Sequence, residues 1–582
     1  MSSDPVRDPS ASPEGGEQGA FLTVSGDAVS FLLDALLTCR VANLREGERT
    51  AGLMADAKGE VIDTVGLRPV SRGRSANGRR SEEFLVFTRR PEVLEERARA
   101  LARGTGGLDP EAGQIRVPSK LEFERGAADD EIRLEAASLD SPAAPHLVDA
   151  EKPFFLGQGA LYETFAGDAL PAWEPPEIER GKPLPKSILG AEHERLGVSR
   201  WGPFGSCQMP IQYGKGRGAI ADEHRATREA AGLYDVSHMI PVIVKGPDAR
   251  AFLELALGNS VARLPAGRGK YTCLSLPSGA PQDDLYVYCL EAGRKEVFLV
   301  VSNSGHESDL YYLEAVAEGK FQIDPEMPLK RFEGEVEFVT KLNEAGSGEK
   351  WSEALFSVAL QGPKSREILL AAADEADRER LGALEFNRLA TGVRLADADN
   401  AVVTFTGYTG EPVGYEIYTR AGDLPGVWRV LLAGGATAAG LGARDSTRQE
   451  AGLPLFGQEI GGPRDIPFSG LGYRRLVDFR KPFFLGRAGA AERERARTQR
   501  VFLLEGQTPR KVSHDWPVYD EEGNLLGQTT STSTIRPGKT DCVQAYLEES
   551  KVRPSQRLLI PPPRRAPKPG EKPKGRPFIV GE

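Results

Sequence analysis

Residues 271–284 read YTCLSLPSGAPQDD: a short β-rich run led by Tyr271, a turn rich in Pro, Gly and Ser, and then the adjacent acids Asp283 and Asp284. The segment behind the acids, LYVYCL at 285–290, alternates with the period of two expected of a strand whose faces meet different surroundings. The predicted unit is a strand over 285–290 with a carboxylate pair at its mouth and Tyr271 as a strand-start aromatic upstream. Asp284 is its leading candidate for chemistry, with Asp283 in support. Taken alone, adjacent acids before a strand are an ordinary solvated turn, so the choice between the two readings falls to the segments downstream.

Two such segments carry matching chemistry. Residues 401–419, AVVTFTGYTGEPVGYEIYT, place β-rich arms on either side of a glycine-containing turn, which predicts a hairpin bringing Tyr408 and Glu416 near one another. Residues 440–452, GLGARDSTRQEAG, predict a helix through Ser446 to Leu453 that Arg444 opens. A planar guanidinium there suits bidentate capture of a carboxylate, while the structural alternative is a local pair with Asp445. Arg448 lies one turn further on as the alternate ligand.

In this order, an aromatic residue, paired aspartates, a second acid after a hairpin and an arginine near a helix start resemble the T-protein (aminomethyltransferase) of the glycine cleavage system and its folate-binding relatives. The likeness runs along most of 186–580. LPKSILGAEHERLG (184–197), MPIQY (209–213), AGLYDVSHM (231–239), VIVKGPDARAFL (242–253), VVSNSG (300–305), ALQGPKS (359–365), GLGY (470–473) and KPFFLGR (481–487) follow in register. It implies an α+β, multidomain cloverleaf around a central folate channel, with a folate-binding core over 186–495 and a C-terminal antiparallel β-barrel or jelly-roll-like domain over 496–582. The implied reaction moves an aminomethyl group from the lipoyl arm of H-protein to tetrahydrofolate, the co-substrate, and yields methylene-tetrahydrofolate and ammonia. The nucleophile is then the folate N5. The protein supplies a narrow pocket, a proton acceptor and negative charge where cationic character develops, and carboxylates serve both electrical needs.

The resemblance also assigns residues. Asp284 becomes the electrostatic and acid/base group; Tyr271 packs on or bonds to the folate; Tyr408 and Glu416 touch the pterin, and Arg444 holds the glutamyl carboxylate. Met239 lines the pocket, His238 is a structural histidine, and Ser302 and Asn303 are polar neighbours of the pterin or of the aminomethyl path. Two departures bear on these assignments. GEPVGYE carries one residue more than the family's usual spacing, which leaves Glu411 as a substitute for Glu416, and GSC at 205–207 stands where the family has GGW. The second departure keeps folate-dependent demethylation of another amine or sulfonium open; a further alternative is folate binding without catalysis in a regulatory protein, with the N-terminal repeat described below as its interaction module.

The chain also resembles itself. The segment from Leu22 lines up with that from Val242, both reading strand, helix, loop, strand, and the helical face Ala249, Phe252, Leu253, Ala256 is repeated by Ala28, Phe31, Leu32, Ala35. EKPFFLGQGAL (151–161) and RKPFFLGRAGA (480–490) close the two copies. Residues 20–165 therefore read as a degenerate partial repeat, with Ala51 where Tyr271 stands and Thr64 where Asp284 stands, serving as a structural remnant or else a docking module. Residues 166–185 are Pro-rich and predicted to link, 1–19 to be disordered, and PPPRRAPKPGEKPKGRP (561–577) to be a solvated extension.

Composition bounds the rest. A chain of 582 residues with net charge −10 lacks the basic balance of a non-specific nucleic-acid binder. Five cysteines without a CxxC pair, and no apolar leader or membrane-length apolar run, predict a cytoplasmic protein that does not enter the membrane. Six scattered histidines give no metal set.

Overall fold

The computed structural model describes residues 19–26, 29–41, 44–55, 61–74, 80–102, 121–137, 171–175, 183–216, 218–293, 296–302, 307–324, 331–340, 353–472, 476–479, 481, 483–506, 512–533, 542–567 and 571–581. The chain divides into two units, one of residues 1–170 with 325–330 and one of 171–324 with 331–582. The closing segment 151–161 of the internal repeat, Asn303 and most of the Pro-rich 166–185 stretch lie outside the described residues.

The first unit contains β1 (Ala20–Gly26), α1 (Val29–Leu36), β2 (Thr50–Ala55), β3 (Val61–Arg74), β4 (Arg80–Thr88), α2 (Pro91–Ala102), β5 (Leu121–Arg125) and α3 (Asp130–Ala137). Its sheet has the order β2-β3-β4-β1-β5. Val24, Leu32, Leu33, Leu67, Phe84 and Leu94 form a core of their own.

The second unit opens with α4 (Gly190–Arg195), the hairpin β6 (Arg200–Phe204) and β7 (Cys207–Gln212), α5 (Ala219–Glu229) and β8 (Gly232–Asp235). β9 (Ile240–Gly246), α6 (Ala249–Ala256), β10 (Arg268–Ser275), β11 (Pro281–Glu291), β12 (Glu296–Ser302), α7 (Glu307–Ala317) and β13 (Glu337–Val339) follow. Here the sheet order is β10-β11-β12-β9-β13, the first unit's topology strand for strand. Registers agree as well: Thr64 pairs with Leu53 as Asp284 pairs with Cys273, and each hairpin has a bulge one or two residues beyond. The apolar spacing explains the common helix. Ala249, Phe252, Leu253 and Ala256 are the buried residues of α6, each large one worth about 1.5–3 kcal/mol of burial.

β14 (Leu355–Gln361), α8 (Ser365–Ala372), α9 (Glu375–Gly382), β15 (Leu389–Leu395), β16 (Ala398–Phe405), β17 (Gly414–Arg420), α10 (Leu424–Ala433), β18 (Thr437–Ala439) and α11 (Leu441–Glu450) complete the middle of the unit. Their six-stranded sheet runs β15-β16-β17-β14-β8-β18, with the fully buried LFSVALQ of β14 near its centre. After α12 (Arg487–Ala496), a closed antiparallel barrel forms from β19 (Gln499–Gly506), β20 (Pro517–Tyr519), β21 (Leu525–Ser533), β22 (Cys542–Glu548), β23 (Arg557–Ile560) and β24 (Arg576–Val580). The protein is thus a mixed α+β chain ending in a six-stranded barrel.

One expectation needs correcting at the C-terminus. The basic Pro-rich stretch is not wholly a solvated extension: Pro563–Arg565 form an exposed 3-10 turn, but Arg576 and Pro577 belong to β24. That strand pairs with β19 and β23 and closes the barrel. Proline is tolerated because Pro577 sits near the beginning of the strand.

Candidate functional site

The hairpin β10/β11 sets the centre of the site. Asp283 and Asp284 lie inside the ladder, opposite Leu274 and Cys273, rather than at a strand mouth. Both are buried, at 0% and 1% exposure. The sequence placed them at the mouth of a strand over 285–290; the acids enter the sheet because each finds a hydroxyl. The Tyr271 hydroxyl donates to Asp284 Oδ2, and Ser302 Oγ lies 3.0 Å from Asp283 Oδ2. Strand alternation then sends the two carboxyls to opposite faces. Asp284 shares its face with Tyr271 and Tyr286, whose rings stack at 5.2 Å, and Tyr286 stacks in turn on Tyr288 at 5.3 Å.

Asp283 faces the helical side, where Ser302 Oγ also approaches Asp309 Oδ2 of α7 at 2.5 Å. Burial, then the charges of Asp309 and Asp284, push the Asp283 carboxyl well above the usual carboxylate range. Ser302 therefore bridges two acids on the face away from Asp284. Asp309 was not singled out from sequence, since a lone Asp in ESDLYY has no local signature. The stacked tyrosines of YVY did have one, in their period of two.

Glu416 sits in β17 between Thr404 and Ala359. Its Oε2 accepts the Tyr418 hydroxyl at 2.9 Å. Burial raises its carboxyl, partly opposed by the charge of Arg444, and its own charge reaches Tyr286 and Tyr288. The rival acid Glu411 is engaged elsewhere, accepting from Arg228 Nη1 at 2.5 Å. Met239 packs in the core with Tyr288 and Tyr418.

Helix α11 begins at Leu441, earlier than expected, so Arg444 and Arg448 lie in successive turns. They differ in their bonding. Arg448 is saturated: it donates to Asp445 Oδ1 (2.8 and 2.7 Å), Leu453 O (3.1 Å), Ser531 Oγ (3.0 Å) and Gln544 Oε1 (3.2 Å), tying α11 to the barrel. Arg444 is 7% exposed, and its Nη1 has no hydrogen-bond partner among the described residues. Its guanidinium lies 5.2 Å from the centre of the Tyr408 ring, a cation–π distance.

Arg444 and Tyr408 line a cavity of about 310 Å³ whose other walls include Phe204, Ile211, His238 and Phe456. His238 meets Phe204 edge to face at 4.7 Å. Cys207, standing where the family has Trp, turns its sulfur to Met209 Sδ at 3.5 Å, which leaves Phe204 as the aromatic wall. Asp284, Tyr271 and Glu416 are not on this lining. Tyr408 connects the parts: its hydroxyl donates to Pro454 O, and burial raises its phenol, with the charges of Arg448, Asp284 and Arg444 also reaching it. Among the described residues no cluster of three His, Cys, Asp or Glu could hold a metal, and no helix is long and apolar enough to cross a membrane.

Comparison with known proteins shows the family and the fold. Residues 191–481 match the family of the GCVT N-terminal domain. The chain is 33% identical over 370 residues to the aminomethyltransferase of Symbiobacterium thermophilum, covering 62% of this chain and 89% of that one. With the Bacillus subtilis aminomethyltransferase it is 33% identical over 350 residues, covering 58% and 84%. A crystal structure of the glycine cleavage system aminomethyltransferase T from Bartonella henselae superposes with a TM-score of 0.54 at 26% identity, covering 69% of this chain and 97% of that one. These matches define an enzyme of the one-carbon transferase class. Within that class, the chain belongs to the aminomethyltransferase family, the T-proteins of glycine cleavage, whose reaction is folate-dependent.

Proposed function

We propose that this enzyme transfers the aminomethyl group from the lipoyl arm of H-protein to tetrahydrofolate, releasing ammonia and dihydrolipoyl H-protein. One C–S and one C–N bond give way to two C–N bonds, and the two protons leaving the folate nitrogens end on sulfur and on ammonia. The observation that carries the assignment is the buried Arg444 Nη1, unpartnered among the described residues and on the wall of an otherwise largely apolar cavity. Such a donor fits a carboxylate, and the neighbouring Tyr408, Phe204 and Phe456 rings fit a planar aromatic group, the two ends of a folate.

Each of the remaining residues then has a task. Asp284, held by the Tyr271 hydroxyl, is the fixed anion where cationic one-carbon character develops. Glu416 accepts from pterin NH groups, and Met239 is an apolar wall behind the tyrosines. Asn303 is assigned a polar contact on the basis of resemblance alone. The five free, buried thiols fit a reducing cytoplasm.

The assay is methylene-tetrahydrofolate and ammonia formation from H-protein carrying the aminomethyl group. Asp284→Asn is expected to lower turnover by about a hundredfold or more, the scale of a lost acid/base group. Full activity in that variant removes Asp284 from the role. No product from H-protein, with product from a methylamine, selects the demethylase reading that the missing Trp keeps open.

A further inference from the structure

Behind the proposed anion lies a second acid pair. On the helical face of the sheet, Ser302 Oγ is 3.0 Å from Asp283 Oδ2 and 2.5 Å from Asp309 Oδ2. A serine hydroxyl has one hydrogen and can donate to one carboxylate only. The other contact, between two oxygens, needs a hydrogen from the carboxyl. Asp309 Oδ1 accepts the Gln282 amide at 3.0 Å and Asp283 Oδ1 the Asp284 backbone N–H at 2.8 Å, so each acid has one further donor; what sets them apart is that Asp283 also stands next to a third acid, Asp284, which places the hydrogen on Asp283. We propose that Asp283 carries a proton and donates it to Ser302, which donates to Asp309, so that the adjacent Asp283 and Asp284 together present one negative charge; Asp309 is thereby a positioning residue for Asp284.

The first unit supplies the contrast. At the position of Asp283 it has Asp63, and at that of Ser302 it has Thr88. Asp63 Oδ1 accepts the next backbone N–H at 2.8 Å, as Asp283 Oδ1 does. Its Oδ2, however, accepts the Thr88 hydroxyl and the backbone N–H groups of Arg89 (2.7 Å) and Arg90 (3.1 Å), three donors for one oxygen and, among the described residues, no second acid bonded to it. Where the next residue is Thr64 the carboxylate is satisfied by donors; where the next residue is Asp284 an acid and its shared proton stand in their place. The charges reaching Asp283 come from Asp309 on α7 and Asp284 on its own strand, and both disfavour its ionisation after burial has already done so. The chemistry requires this economy, since a second anion beside Asp284 would make Asp284 hold its own proton more tightly.

Infrared spectroscopy of the whole protein tests the shared proton without any substrate, so this arm stands apart from the aminomethyl assignment; the kinetic arm rests on it. Burial also raises Glu223, Glu416 and Glu494, so the readout is the difference between wild type and variant. At neutral pH, the carboxylic-acid C=O band of wild type minus Asp283→Asn is expected to be present, and the same band is expected to be lost in Asp309→Asn. Absence of the band from the first difference overturns the proposal, and its persistence in Asp309→Asn overturns the role of Asp309. In the kinetic arm, Asp309→Asn, an isosteric change checked by its unfolding midpoint, is expected to move the acid limb of the kcat profile up by roughly one pH unit or more. Loss of the band with an unmoved profile overturns the positioning role. If Asp309→Asn does not fold, Ser302→Ala replaces it: burial and both neighbouring charges remain, so the band is expected to persist at a shifted frequency once the bridging hydroxyl is gone, and an unshifted or absent band contradicts the bridge.

Discussion

Asp283 and Asp284 are neighbours in sequence with opposite environments, because strand alternation turns one to the tyrosines and the other to α7. This separation has a thermodynamic consequence. An unfolded Asp283 loses its proton near the ordinary value of 3.8, whereas the folded one keeps it well above that. Over the window between the two values the unfolded state binds fewer protons, so wild-type stability falls as pH rises, by at most about 1.4 kcal/mol per pH unit. Asp283→Asn cannot ionise and its amide keeps a donor toward Ser302. Its stability relative to wild type should therefore climb between pH 4.5 and 7.5 in urea unfolding, and a difference that stays flat across that range contradicts the raised value. At this scale the sequence showed the residue types but not their partners. Arg444 and Arg448 are alike in GARDSTRQ, and it takes Ser531 and Gln544, 83 and 96 residues beyond Arg448, to complete the bonding of one, while the other keeps an Nη1 without a hydrogen-bond partner among the described residues. Asp309 was illegible for the same reason, since its partners Ser302 and Asp283 come from other elements.

Elements were more readable, where local pattern and tertiary need coincide. The face Ala249, Phe252, Leu253, Ala256 fixed α6, and the arms around GYTGE fixed β16 and β17, because periodicity records which side is buried. The start of β11 was placed too late, at Leu285 with the acids at its mouth rather than at Pro281 with the acids inside the ladder, because nothing local marks a carboxylate as a sheet residue, and the C-terminal strand was hidden by proline and charge. The turn between β10 and β11 depends on a contact equally invisible in one dimension. Gly279 has φ +75°, and a Cβ there would lie 1.9 Å from Ala490 N and 2.1 Å from Gly489 C at the start of α12. Backbone packs on backbone, which locks the hairpin carrying both acids. Gly279→Ala should cost about 3 kcal/mol through left-handed strain and overlap together, measured as a lowered thermal midpoint. A change below about 0.5 kcal/mol, the ordinary surface range, would show that the turn is free to shift.

At the scale of the whole molecule, one sheet topology has been used twice, once with Tyr271, Asp284 and Tyr286 on the face and once with Ala51, Thr64 and Gly66 at the same register positions. The repeat was legible because packing residues survive where polar chemistry does not; the agreement in strand order and bulge position needed coordinates. The second copy adds α11 and the barrel, and the saturated Arg448 joins them so that Arg444 is held rigidly on the cavity wall. The central claim is that this wall and the acid Asp284 serve one ligand. A crystal structure of the full chain with bound tetrahydrofolate measures that directly. The predicted result has the glutamyl carboxylate on Arg444 Nη1 and the pterin between Tyr408 and Glu416 with its N5 side toward Asp284; folate bound away from Arg444, or with its ring system remote from Asp284, would contradict it.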